Sequence, residues 1–454
     1  MVQAVWSKLA LLPAGWAQDV RIEHEGGVIA RIAAQVQPQT GDARLDIVVP
    51  GLCNLHSHAF QRGMAGLAET RGPSDDSFWT WREVMYRFLD RLTPDDLQAI
   101  AALAYAEMLE SGFTRVGEFH YLHHDPEGRA YADIAEMAGR IAAAAEATGI
   151  GLTLLPVFYA HGGFGGTPPS PAQRRFLNAA DRFEALVEAG GRHLKSLPDA
   201  NSGVAPHSLR AATPEQLARI VSLAKGGPIH IHIAEQVKEV ADCVAWSGQR
   251  PVEWLLNHAP VDANWCLVHA THMTDEETDR LAASGAVAGL TPITEANLGD
   301  GLFPAVRFLN AGGVFGVGTD SNVLIDAGEE LRLLEYGQRL AARSRNLLSS
   351  PQRPSTGGSL FTGALAGGAR ALGQDVAGLA EGGSADVVAL RADHPSLIGR
   401  TGDAILDGWI FGGRSGVVDR VWRRGRLVVE GGRHLGREAV VARYNTTLTR
   451  LLTA

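Results

Sequence analysis

His56 and His58 stand one residue apart at the end of an apolar run, residues 46–55. On a strand, residues i and i+2 face the same side, so both imidazoles can reach one metal ion while Ser57 turns away. Alone the pair is weak, because a polar strand end reads the same way. Three further segments add to it. His230-Ile231-His232-Ile233-Ala234-Glu235 closes the run 229–233, His269 closes 265–269, and Gly318-Thr319-Asp320-Ser321 closes 314–318. A single histidine at a strand end is usually structural. Imidazoles and carboxylates at four strand ends of one chain suit metal-assisted hydrolysis, which needs neutral nitrogen ligands, an anionic ligand and a proton carrier.

The elements that must position these groups form a repeating pattern. Strand-like runs at 46–55, 114–119, 151–158, 203–206, 229–233, 265–269, 286–290 and 314–318 alternate with helical patterns. Thr93-Pro94-Asp95-Asp96 and Thr213-Pro214-Glu215-Gln216 each offer a capping hydroxyl, a proline in the first turn and an acceptor three residues on. Residues 132–148 and 328–345 read as further helices. Eight such units predict an α/β fold, a (β/α)8 barrel with its reactive groups at the C-terminal strand ends. The two chain ends carry short β-like runs with Gly-rich turns, each set too small for a stable sheet alone. They are expected to join, residues 1–49 with 378–454, as a composite β-sandwich and C-terminal tail beside a barrel of residues 50–377. Residues 347–358 read as a loop.

Composition bounds the function. The 454 residues are 45% hydrophobic with a formal net charge of −9, which speaks against a nucleic-acid binder. Three cysteines, Cys53, Cys243 and Cys266, make a poor disulfide framework and point to a reducing compartment. No basic leader with an apolar core opens the chain, and the uncharged stretches are broken by Gly and Pro. A cytoplasmic enzyme with a small-molecule partner and no membrane is expected; a homodimer stays open.

The segments Pro50-Gly51-Leu52-Cys53-Asn54-Leu55-His56-Ser57-His58, His230 to Glu235, His269-Ala270 and Gly318 to Ser321 resemble the amidohydrolase superfamily in its aminohydrolase branch, over nearly the whole chain. The resemblance implies one metal ion held by His56, His58, His232 and Asp320. Three imidazoles and a carboxylate suit zinc, while ferrous iron or manganese would accept the same ligands. Two-metal members use a modified lysine on the fourth strand, and residues 202–207 contain no lysine. The implied catalytic residues are Asp320, accepting a proton from water, His269, orienting the water, and Glu235, carrying a proton to the leaving nitrogen. The competing role for Glu235 is a cap on the following helix.

Further segments resemble the formimidoylglutamate deiminases: Asn54 to Arg62, Ser77 to Arg82, Glu118 to Asp125, His207 to Arg210 and Thr294 to Gly301. That family hydrolyses N-formimidoyl-L-glutamate to N-formyl-L-glutamate and ammonia in histidine breakdown. It implies substrate contacts at Gln61, Arg82, Tyr121, His207, Arg210 and His269. A dicarboxylate substrate calls for guanidinium groups, which bind carboxylates bidentately. Arg82 is expected on a loop after the first barrel strand. His120, His123 and His124 hint at a second metal, though no carboxylate pattern surrounds them. Phe78, Trp79 and Trp81 either close over the site or pack a long loop. Two alternatives remain: a purine or pterin deaminase with a flat aromatic pocket, and an inactive barrel used for binding.

Overall fold

The computed structural model describes residues 3–71, 76–413 and 416–453; the outer limits of the expected end unit, at 1 and 454, fall outside them. Eight parallel strands surround the centre. They are Leu52–Ser57, Phe113–His120, Gly151–Phe158, the broken pair Asn201–Ser202 and Ala205–Pro206, Ile229–Ile233, Trp265–His269, Val287–Leu290 and Val314–Val317. Pairing runs unbroken from the first to the fourth and from the fifth to the eighth. Parallel bridges between Val204 and Ile229, and between Ser57 and Asp320, close the ring. This is the expected (β/α)8 barrel. Strands covered on both faces must be apolar nearly throughout, and Ile229–Ile233, Trp265–His269 and Val287–Leu290 are buried at every residue.

The readable helix starts are where the chain chemistry puts them. The Thr93 and Thr213 hydroxyls accept from the amides of Asp96 and Gln216, both at 3.3 Å. The Asp96 and Gln216 side chains accept from the cap amides at 2.9 Å in return, and helices Pro94–Ser111 and Pro214–Ser222 follow.

Three expectations change. Residues 46–55 are two strands: Ala43–Pro50 pairs with strands from the chain ends, and Leu52–Ser57 enters the barrel. Gly51 makes the crossing, because a Cβ there would lie 2.3 Å from the Thr114 side chain. The segment carrying Arg82 is a helix rather than a loop, Phe78–Leu89, capped by the Ser77 hydroxyl accepting from the Trp79 amide. The loop expected at 347–358 ends at Ser355, which caps the helix Thr356–Ala371.

Strands from both chain ends build one eight-stranded sheet. Its spatial order is Arg433–His434, Arg426–Glu430, Val418–Arg423, Val387–Leu390, Ala43–Pro50, Gln3–Leu12, Gly15–Glu25 and Val28–Ala33. The sheet folds back on itself, since Ile29 N–H donates to Gly383 O and Gly382 N–H to Ile29 O. Between its layers lies a separate core that includes Val5, Ile22, Ile29, Val48, Val387 and Trp422.

Sheet and barrel are joined by charge. Arg423 pairs with Asp386 at 2.9 Å and also with Asp199, while Arg115 on the second barrel strand holds Asp199 at 2.6 Å. Both arginine side chains are 3% exposed. Removing one partner of such a cluster strands the others in low dielectric. Arg423→Ala is therefore expected to cost about 3–5 kcal/mol, read as a lower urea midpoint. A midpoint equal to wild type would show that the cluster contributes nothing.

Candidate active site

The four expected metal donors converge at the barrel mouth. His56 Nε2 lies 3.2 Å from His58 Nε2 and 3.0 Å from His232 Nε2. Asp320 Oδ1 lies 3.5 Å from His56 Nε2 and 3.2 Å from His58 Nε2. All four donor atoms fall within 4.8 Å of one another, on buried side chains. His58 Nδ1 lies 2.9 Å from the Phe119 carbonyl oxygen, an acceptor that favours the Nδ1–H tautomer and leaves Nε2 with a lone pair facing the centre. Burial pushes His56 down to about 3 and His232 well below its usual value. Burial alone would raise Asp320, but His56 and His58 hold its carboxyl well below the ordinary range. Neutral imidazoles and an ionised carboxylate are the states that divalent metal binding requires, so the donor set fits the ion.

The backbone is strained where it delivers these groups. Ala234, His269, Ala270, Asp320 and Asn322 all have left-handed φ, between 41° and 68°. Each costs about 1 kcal/mol or more outside glycine, and such residues cluster where the surroundings over-determine them. Here the restraint is an amide network. Asn322 Nδ2 lies 3.2 Å from Ser57 Oγ, 3.1 Å from His58 O and 3.0 Å from Asp320 O. Thr319 Oγ1 donates to Asn322 Oδ1 at 2.6 Å and accepts from Asn54 Nδ2 at 2.7 Å. The eighth strand end is thereby locked to the first.

Glu235 and His269 complete the centre. His269 Nε2 is 3.9 Å from Glu235 and 3.8 Å from Asp320, and its Nδ1 is 3.4 Å from Glu295. Burial opposes protonation of His269, but Glu235, Glu295 and Asp320 together push it up to about 10. Burial raises Glu235, with His269 opposing and Asp320 and Glu239 adding to the rise. Glu235 does not cap the next helix. Glu239, in the first turn of that helix, reaches back instead, and its carboxylate accepts from the amides of Ala234 at 3.3 Å and Glu235 at 3.2 Å.

One cavity is lined by Gln61, Arg82, Tyr121, His207 and Arg210 together with His58, His232, Glu235, His269 and Asp320. Gln61 Nε2 donates to the Tyr121 hydroxyl at 2.9 Å, and Gln61 Oε1 is buried without a partner among the described residues. Arg82 and Arg210 flank the Trp79 ring, their guanidinium carbons 4.6 and 5.8 Å from its centre. Among the described residues the Nε of each is buried and unpaired, and no carboxylate pairs with either. Phe78 and Trp81 line the cavity wall.

His120, His123, His124 and His230 lie outside the four-donor group. His123 and His124 bond the carbonyls of Val157 and Leu177, each at 2.9 Å. His230 bonds the Ala371 carbonyl at 2.7 Å. Sequence reasoning missed Glu295, Glu239 and the Asn54–Thr319–Asn322 network. The available signal was spacing, since Asn54 precedes one metal donor by two residues and Asn322 follows another by two.

Comparison with known proteins agrees with this geometry. Residues 47–428 match the amidohydrolase family, and residues 2–46 match the family described as "Formimidoylglutamate deiminase HutF, N-terminal domain". A curated formimidoylglutamate deiminase from Pseudomonas aeruginosa is 50% identical, covering 99% of this chain and 100% of its own. A curated 5-methylthioadenosine/S-adenosylhomocysteine deaminase from Natronomonas pharaonis is 30% identical over 84% of this chain and 81% of its own. The crystal structure of an amidohydrolase from Brucella melitensis superposes with a TM-score of 0.97 at 56% identity, covering 99% of this chain and 100% of that one. With the four-donor centre at the mouth of a closed barrel and full-length identity of this order, the chain belongs to the amidohydrolase family, on its formimidoylglutamate deiminase branch.

Proposed function

We propose that this chain hydrolyses N-formimidoyl-L-glutamate to N-formyl-L-glutamate and ammonia, using one metal ion, zinc by preference, held by His56, His58, His232 and Asp320. The observation that carries the reading is the pair of guanidinium groups, Arg82 and Arg210, unpaired with any carboxylate among the described residues and facing the cavity that holds Glu235. A substrate with two carboxylates supplies the missing partners. Gln61 and Tyr121 add neutral hydrogen-bonding groups. Burial, reinforced by Arg210, holds His207 well below its usual value, so it too meets the substrate uncharged.

Zinc at such a donor set supplies Lewis acidity, which makes water nucleophilic near neutral pH. The rest falls to side chains. Asp320 takes a proton from the water, His269 orients it, and Glu235 carries a proton to the departing nitrogen. The likeness to a 5-methylthioadenosine/S-adenosylhomocysteine deaminase is weaker, and a substrate with fewer than two carboxylates would leave at least one arginine without such a partner. Three buried free cysteines suit a reducing, cytoplasmic setting.

Purified protein is expected to release ammonia and formylglutamate in equal amounts and to hold about one divalent ion per chain. No ammonia from formimidoylglutamate would overturn the reaction. Two retained ions, both needed for turnover, would overturn the single-metal site, and a loaded ion other than zinc would overturn that preference.

A further inference from the structure

We propose that Asp300, gripped by Gln236, is the positioning residue that keeps Glu235 set as the proton carrier, an inference that rests on the deiminase reading. Gly299-Asp300-Gly301 follows the short helix Pro292–Leu298, and both glycines have left-handed φ, 71° and 127°. This turn buries Asp300 and lets its N–H donate to the Glu295 carbonyl at 2.9 Å. One Asp300 carboxylate oxygen accepts from Gln236 Nε2, on the residue directly after Glu235. The other is buried with no partner among the described residues. Gln236 occupies the N-cap of helix Val237–Ser247, yet its side chain makes no cap bond and reaches Asp300 instead. One helix and its turn thus reach both segments: Glu295 contacts His269, and Asp300 holds the residue that follows Glu235.

The ionisable groups facing Asp300 are Glu235 and His269 from two strand ends, Glu295 from its own helix, and His272 beside Gly301. Glu235 also faces Asp320, Glu239 and Arg210. Burial first, then the Glu235 charge, pushes Asp300 up to about 8, and burial raises Glu235 likewise. Two buried carboxyls of like charge resist ionising together, so the charge on one favours the proton on the other. A neutral amide in place of Asp300 removes that mutual repulsion, so the last proton of the pair should leave at lower pH and activity should fall earlier on the alkaline side.

The test is kcat/KM against pH for ammonia release by wild type, Asp300→Asn and Gln236→Leu, with metal content and Tm taken on the same samples. Asp300→Asn is expected to keep metal and Tm while its alkaline limb moves acidward by about one pH unit. Gln236→Leu removes a bond that favours ionised Asp300, so its limb is expected to lie no further acidward than that of wild type, while kcat falls about tenfold at unchanged KM, the mark of a misplaced group. An unmoved limb in folded, metal-loaded Asp300→Asn overturns the proposal. Wild-type kcat in Gln236→Leu does the same, and decides the matter if Asp300→Asn does not fold. A wild type that releases no ammonia instead removes the reaction on which the inference rests.

Discussion

Glu235→Gln is expected to keep its fold and its metal and to lose activity by about a hundredfold or more, the usual scale for removing a general acid–base group. The substitution conserves shape and deletes only the ability to carry a proton. Structure should survive because the neighbouring amides are held by Glu239, not by Glu235. Metal should survive because Glu235 lies outside the four-donor group. Turnover is expected to depend on it because it is the buried carboxyl 3.9 Å from His269 and faces the cavity. Near-normal turnover in a metal-loaded variant would assign the proton transfer to another group.

Arg210→Ala should lower catalytic efficiency about 10- to 150-fold, equivalent to the roughly 1.5–3 kcal/mol of a charge-assisted contact. The geometry adds a more pointed expectation. Attack on the amidine carbon creates an intermediate with two nitrogens able to leave. If Arg82 and Arg210 hold the carboxylates away from the metal donors, the terminal nitrogen is left beside Glu235. Ammonia and formylglutamate should then be the products, not formamide and glutamate. The clamp is tested by a cycle of two substrates and two proteins, in which Arg210→Ala should lose less on an analogue lacking the contacted carboxylate. Equal losses on both substrates would refute the clamp, and formamide as the main product would refute the orientation.

The convergence of His56, His58, His232 and Asp320 was legible because strand geometry is simple. His56 and His58 share a face by alternation, and a barrel places the ends of its strands on one rim. Glu235 was legible with two competing roles, proton carrier or helix cap, and only the folded chain shows that no side chain caps the following helix. The Gly51 crossing was hidden because residues 46–55 are nearly continuously apolar, whether they serve one sheet or two. Nor do residue types announce left-handed φ at His269 or Asp320. At Asp320 the conformation is held by contacts across the barrel, above all the Asn54–Thr319–Asn322 bonds, which span 265 residues between Asn54 and Thr319. Arg82 was found by resemblance alone. Its shared stacking with Arg210 on Trp79 needed the helix Phe78–Leu89 to be seen folded over the mouth.

The order of strands in the end sheet has a consequence for synthesis. Ala43–Pro50 lies between Gln3–Leu12 and Val387–Leu390, partners made at opposite ends of translation. One edge of it therefore waits through roughly 340 residues of elongation, on the order of 20–70 s at about 5–20 residues per second. That edge carries Ile47, Val48 and Val49, all buried in the finished protein. An unpaired apolar edge is a template for neighbouring chains, most of all on a crowded polysome. The C-terminal strands thus act as a late seal on a nascent chain that is aggregation-prone until they emerge. A chain cut before Val387 should accumulate as insoluble material rather than as a smaller working barrel, and co-translational capture by a holding chaperone should be strongest before the ribosome reaches that strand.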